Sequence, residues 1–302
     1  MLLNLREYHR PATDAPGQAL AHALDLLARP DICTVPLAGG DTLLASADPT
    51  IEAVVDLQGL GLDAIQVDET AHTLIIGAMT TRATLAAHVA AGSCYGGIVA
   101  AAARRWQGSA QRNRATVGGA IVAAAANDPL IVALLACRAE VAVAARSGTT
   151  RLPLAEFLAA PDGGRGQMPT FSESWHLSPA IVAEVRIPWP AAPCGGALAA
   201  VARTPADAPI VVAAATVHRD GDRCAAVGLA LGGVADAPLD VSQAAGDLAG
   251  QPWADAAVAA LAARIATERH PVGDFRGSAT YRQAMAEALC VRALRDAWEQ
   301  AA

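Results

Sequence analysis

The sequence predicts an α+β fold, on three observations. A short strand–helix–strand unit opens the chain, residues 65–68 and 73–77 read as an antiparallel pair, and three further strand-like runs (196–201, 210–218 and 224–232) precede a helical tail. Strands that come in groups, with helices gathered after them, indicate antiparallel sheets covered by helices rather than a strictly alternating parallel fold.

Each element has its own signal. Residues 14–29 place Leu20, Ala23, Leu24 and Leu27 at helical spacing and end at Pro30-Asp31, so a first amphipathic helix is expected there. Residues 32–37 read as a strand leading into Ala38-Gly39-Gly40-Asp41-Thr42-Leu43, and 53–57 as a second strand after a turn closed by Asp48-Pro49. The unit is too short for a complete dinucleotide fold, and its loop lacks the Gly-x-Gly-x-x-Gly spacing. After the 65–77 pair, Thr80 or Thr81 can cap a helix over 82–90, with Leu85 and Val89 one turn apart on its face. A further helix is expected over 96–105, its Arg104 and Arg105 favourable near a helix C-terminus. Asp128 as cap and Pro129 at the first position open a helix over 130–136.

Residues 140–144 and 150–154 are strand candidates, and 161–167 read as a mobile loop by composition. A strand over 181–188 ends at Pro188-Trp189-Pro190, the expected domain boundary. This divides the chain into 1–190, itself a small 1–58 part and a larger mixed 59–190 part, and a second domain over 191–302. In that second domain, Arg219-Asp220-Gly221-Asp222 is a hairpin signal. Helices over 254–267 and 278–300 cover the three strands, the latter with Met285, Leu289, Leu294 and Ala297 on one face.

Composition narrows the function. The 302 residues are 53% hydrophobic and 17% charged, enough to build large cores, and the net charge of −7 offers no basic stripe for nucleic acid. No apolar stretch has the length of a bilayer span and no basic segment precedes an apolar run at the start, so the expected location is the cytoplasm. The six cysteines are scattered and read as reduced core thiols rather than iron–sulfur or zinc ligands. Gly-x-Ser-x-Gly and His-Glu-x-x-His are both missing, and the seven histidines stand singly.

What remains is a pair of glycine loops. In Arg112-Asn113-Arg114-Ala115-Thr116-Val117-Gly118-Gly119, as in the 38–43 turn, adjacent glycines can let successive N–H groups converge on one point. Either pair alone is compatible with a plain turn. Together they favour a pyrophosphate-containing cofactor held between two subdomains, and redox or group-transfer chemistry over hydrolysis.

These motifs, with Leu74-Ile75-Ile76-Gly77-Ala78-Met79-Thr80-Thr81, Ala126-Asn127-Asp128 and the run from Pro271 to Arg282, resemble the FAD-binding medium subunit of the molybdenum hydroxylases, over nearly the whole chain and in the family's order. The resemblance implies a vanillyl-alcohol-oxidase-like (PCMH-type) FAD-binding fold with a C-terminal three-stranded antiparallel sheet plus helices. It implies that Ala38, Gly39, Gly40, Asp41, Thr42 and Leu43 wrap the FAD diphosphate, and that Thr116, Gly118 and Gly119 bind its other side. Asn113 would fix that loop, Asp128 would bond the ribityl or ribose portion, and Gly77 would join the binding positions. Val182 and Ala183 would wall the isoalloxazine.

The implied partners are a small subunit with two [2Fe–2S] clusters and a large molybdenum-pterin subunit, in a dimer of heterotrimers. Electrons would enter from the former and leave to an external acceptor. Three departures from the family's pattern bear on this, at Asp41, at Ala200 with Thr204, and at Pro209 in the same segment as the latter pair. Asp41 puts a carboxylate beside the expected diphosphate, and Ala200 and Thr204 stand where many relatives have Lys and a second Arg, which points away from NAD+ as acceptor. The alternatives are a structural or assembly subunit with a degenerate flavin site, which would be colourless, and a stand-alone flavin oxidase, which would be reduced by an organic substrate without partners.

Overall fold

The computed structural model describes residues 4–11, 16–159, 179–190 and 193–302. The loop expected over 161–167 lies outside the described residues. Three sheets follow one another along the chain.

The first consists of β1 (Glu7–His9), β2 (Thr34–Leu37) and β3 (Ala53–Asp56), all parallel, with β3 in the middle and every residue of it buried. Helix α1 (Pro16–Leu27) lies on it through Ala19, Ala23, Leu24 and Leu27, against Leu57, Leu60, Met79 and Ile181. A single helical turn, α2 (Leu43–Ser46), separates β2 from β3. Strand β1 gave no sequence signal: it is three residues long, and the Tyr8 side chain stays outside to donate to the Asp56 carboxylate.

The second sheet is antiparallel, in the order β4 (Ile65–Asp68), β5 (Thr73–Gly77), β8 (Ala180–Pro188), β6 (Glu140–Ala145) and β7 (Gly148–Pro153), and begins with the expected β4–β5 pair. The helix expected over 82–90 is broken. Thr81 caps α3 (Arg82–Ala87), His88 is extended, and α4 (Val89–Ser93) starts afresh. An unbroken helix would have carried Val89 inward with Leu85. The break instead leaves Val89 82% exposed and brings Ala91, Cys94 and Tyr95 into the core. Likewise α5 (Ile98–Arg104) begins two residues later than the pattern suggested, because Tyr95, Gly96 and Gly97 all have positive φ.

After α6 (Ser109–Arg112) and α7 (Val117–Ala123) comes α8 (Pro129–Ala136), whose eight residues are all buried. A helix apolar on every side belongs between layers, and α8 lies between the second and third sheets. Strands β6 (Glu140–Ala145) and β7 (Gly148–Pro153), the short α9 (Leu154–Ala159) and β8 (Ala180–Pro188) complete this part.

The three expected C-terminal strands form as β9 (Cys194–Val201), β10 (Val211–Asp220) and β11 (Arg223–Gly232), and a two-residue edge strand, β12 (Leu239–Asp240), is added to make four. One face, with Val211, Ala213, Ala215 and Leu229, packs on α11 (Asp255–Thr267) and α12 (Ala279–Gln300), α10 (Ser242–Ala245) lying at the edge. The other face, with Val212, Ala214 and Ala230, joins the core of α5 and α8. Small residues allow this close stacking: a Cβ on Gly228 would come 2.0 Å from the Ala136 carbonyl oxygen, which accepts a 2.8 Å hydrogen bond from Thr216. Cys94, Cys137, Cys224 and Cys290 are buried thiols, and burial pushes Cys94 and Cys290 up to about 12.

Candidate functional site

The first glycine loop leaves the C-terminal end of β2, where open parallel sheets commonly bind ligands. Gly40 has φ +71°, a conformation that suits glycine, and Leu43 anchors the far end of the loop among Val35, Ile51 and Val54. Between these points the backbone N–H groups of Gly39, Gly40, Asp41 and Thr42 donate to no acceptor among the described residues. Four successive unspent amides form the kind of nest that receives a diphosphate without ordering any side chain.

The two loops meet backbone to backbone. A Cβ on Gly39 would sit 1.8 Å from the Arg114 carbonyl oxygen, so only glycine permits the approach. The Asp41 carboxylate, which the sequence set beside the expected diphosphate, is engaged within the protein. It accepts a 3.0 Å hydrogen bond from Gln107 Nε2 and lies 3.7 Å from Arg114 Nη2.

The second loop differs from its expected form. Gly118 and Gly119 do not make a turn with free donors; they lie in the first turn of α7, capped by Thr116. Val117 N–H donates to Thr80 O, Gly118 N–H to Ala78 O and Gly119 N–H to Thr116 Oγ1. The first two donors are therefore spent on the segment that follows β5 and the third on the helix cap, with Thr81 and Thr116 forming a bridge. Gly118 is required for contact, since its Cβ would lie 2.7 Å from that of Ala78, while Gly119 is partly exposed and its Cβ would meet only Thr116 Oγ1. Asn113 is exposed at the end of α6.

Asp128 caps α8 through Leu130 N–H at 2.9 Å, as expected, and is buried. Its second oxygen accepts from Arg82, itself 1% exposed, so each carboxylate oxygen already has a protein donor. The guanidinium lies 5.6 Å from the Trp106 ring centroid, within cation–π range. The neighbouring Asn127 amide donates to Pro209 O and ties this segment to the third sheet. Gly77 fits where a Cβ would be 2.3 Å from Leu62 O. Val182 pairs with Val143, and the next residue, Ala183, is the extra residue of a β-bulge whose carbonyl accepts from Ala78 N–H. Such bulges re-aim a strand.

Sequence reasoning missed Arg82 and Gln107. Arg82 stands one residue after a helix cap and carries no mark of burial, and Gln107 belongs to no motif; only the fold brings them to Asp128 and Asp41.

Residues 7–190 match the family model of the FAD binding domain in molybdopterin dehydrogenase, and 197–297 that of the CO dehydrogenase flavoprotein C-terminal domain. The carbon monoxide dehydrogenase medium chain of Afipia carboxidovorans is 32% identical over 304 residues, covering 96% of each chain. Among solved structures, carbon monoxide dehydrogenase from Hydrogenophaga pseudoflava lacking the Mo-pyranopterin moiety matches all of both chains at 26% identity and a TM-score of 0.86. Quinoline 2-oxidoreductase from Pseudomonas putida 86 matches at 25% identity and 0.82, over 100% of this chain and 99% of that one. The fold is therefore the PCMH-type FAD-binding fold. The chain belongs to the family of FAD-binding medium subunits of carbon monoxide dehydrogenase-type molybdenum hydroxylases.

Proposed function

We propose that this chain carries FAD between its two glycine loops and relays electrons, taking them from a small [2Fe–2S] subunit of a cytoplasmic molybdenum hydroxylase and passing them to an external acceptor. The observation that carries the reading is the row of amides on Gly39, Gly40, Asp41 and Thr42 that meet no acceptor among the described residues, with Gly39 pressed against the Arg114 backbone. Ala38 and Leu43 complete the wrap around the diphosphate. On the other side Gly119 offers a surface without bulk rather than a donor, with Thr116 and Gly118 buried behind it to cap α7 and pack it on Ala78, and Asn113 steadying the loop. Asp128 serves at one remove, holding Arg82 and the start of α8. Gly77 keeps the β5 end close to residue 62, and Val182 and Ala183 supply the apolar wall.

The flavin, when bound, supplies the electron chemistry, and the protein supplies position and field. No residue is assigned as a proton base. The engaged state of Asp41 speaks against a degenerate site, because its carboxylate is matched by Gln107 and Arg114. We also propose the division at residue 190 and assembly as a dimer of heterotrimers with a large molybdenum-cofactor subunit. Native co-purification with cofactor and metal analysis tests this: FAD, iron and molybdenum should accompany the chain in one complex. A colourless chain isolated without partners would sink the proposal.

A further inference from the structure

The segment that ends α5 contains a costly arrangement. Trp106 and Gln107 both have φ +67°, the left-handed region, although neither is glycine and Gly108 follows directly. Gln107 is also buried, 9% exposed, and its Oε1 finds no hydrogen-bond partner among the described residues. Backbone strain and an orphaned acceptor each oppose folding. What the arrangement achieves is visible at the other atom of the amide: Nε2 reaches 3.0 Å to Asp41, in the middle of the first glycine loop and 66 residues away in sequence. Gln107 is held there from both ends, because Arg112 Nη1 donates to its backbone carbonyl oxygen. Arg114 is mostly exposed and 3.7 Å from the other Asp41 oxygen, placed to offset charge rather than to fix position.

We infer that Asp41 and Gln107 form a latch that holds the first glycine loop closed against the second, with Arg114 neutralising the carboxylate so that the loop can receive an anionic diphosphate. Both side chains are positioning groups: they shape the amide nest, and it is the Asp41 backbone N–H, not its carboxylate, that faces the diphosphate. The inference rests on the proposed FAD site. It opposes the simpler expectation that a carboxylate beside a diphosphate only repels it.

The two ideas predict opposite signs. In the full-length chain, titrated with FAD and followed by quenching of flavin fluorescence, Asp41→Ala should weaken binding about tenfold, the size of a lost charge-assisted hydrogen bond. Asp41→Asn keeps an acceptor for Gln107 and should stay within about threefold of the parent. Gln107→Gly removes the amide and relieves the backbone, so its Tm should equal or exceed that of the parent while FAD binding weakens about tenfold. Adding Asp41→Ala to Gln107→Gly should cost little more, since one interaction is lost either way. A purely structural role for Gln107 would instead move Tm and affinity together. If Asp41→Ala or Gln107→Gly binds FAD as tightly as the parent, or more tightly, the latch is refuted while the FAD site stands. If the parent takes up no FAD, the site itself fails and the latch falls with it.

Discussion

Gly39 is the residue with least freedom to change. A methyl group there would meet the Arg114 carbonyl oxygen at 1.8 Å, backbone against backbone, where neither side can swing aside. Gly39→Ala should therefore part the two loops, cost about 1–3 kcal/mol as overpacking does, and abolish FAD uptake; urea unfolding and flavin absorbance measure the two effects. Arg82 poses the opposite problem, of removal. Arg82→Met would strand the buried Asp128 charge, at a cost of about 3–5 kcal/mol. Combining it with Asp128→Asn, which can still cap α8, should recover much of that loss in the same unfolding assay.

At the scale of elements, the turn before α12 is organised by one ion pair. Arg282, 6% exposed, donates to Ile210 O at 2.8 Å and Gly233 O at 2.7 Å, and to the more exposed Asp274 at 2.7 Å. The Arg282 hydrogen bond, helped by the Arg276 and Gly277 amides, holds the Asp274 carboxyl below its ordinary pKa. A lowered folded-state pKa stabilises the fold above the unfolded pKa, and the contribution is lost as pH falls through the lowered value. The stability gap between parent and Asp274→Asn should thus be level from neutral pH down to the ordinary carboxylate range and close below it. A gap that stays level into strong acid would contradict the assignment. Asp274 is exposed enough that the gap will be modest.

For the whole molecule, the third sheet is the middle layer between α12 and α8, and it brings Ala200 onto the face that packs toward the second sheet. No cationic side chain stands at that position, which motivates a non-nicotinamide acceptor. The reduced complex should pass electrons to a quinone analogue faster than to NAD+, followed by absorbance at mixing. Rapid NADH formation would refute it.

Much of the fold was legible in the sequence because periodicity and punctuation are local: the α1 stripe, the β4–β5 pair, the Asp128-Pro129 start of α8 and the Gly221 hairpin all follow from neighbouring residues. The glycine pairs were legible too, though not the different uses the fold makes of them. The sequence by itself determined the main strands and helices of each part, the family and the first glycine loop. Only the tertiary structure decided which amides remain free, that Asp41 is met by Gln107 and Arg114, and that Asp128 is sealed by Arg82. Those outcomes depend on partners 46 to 73 residues apart, and a donor's availability is set by whichever acceptor the packed chain brings to it, a property no local pattern encodes.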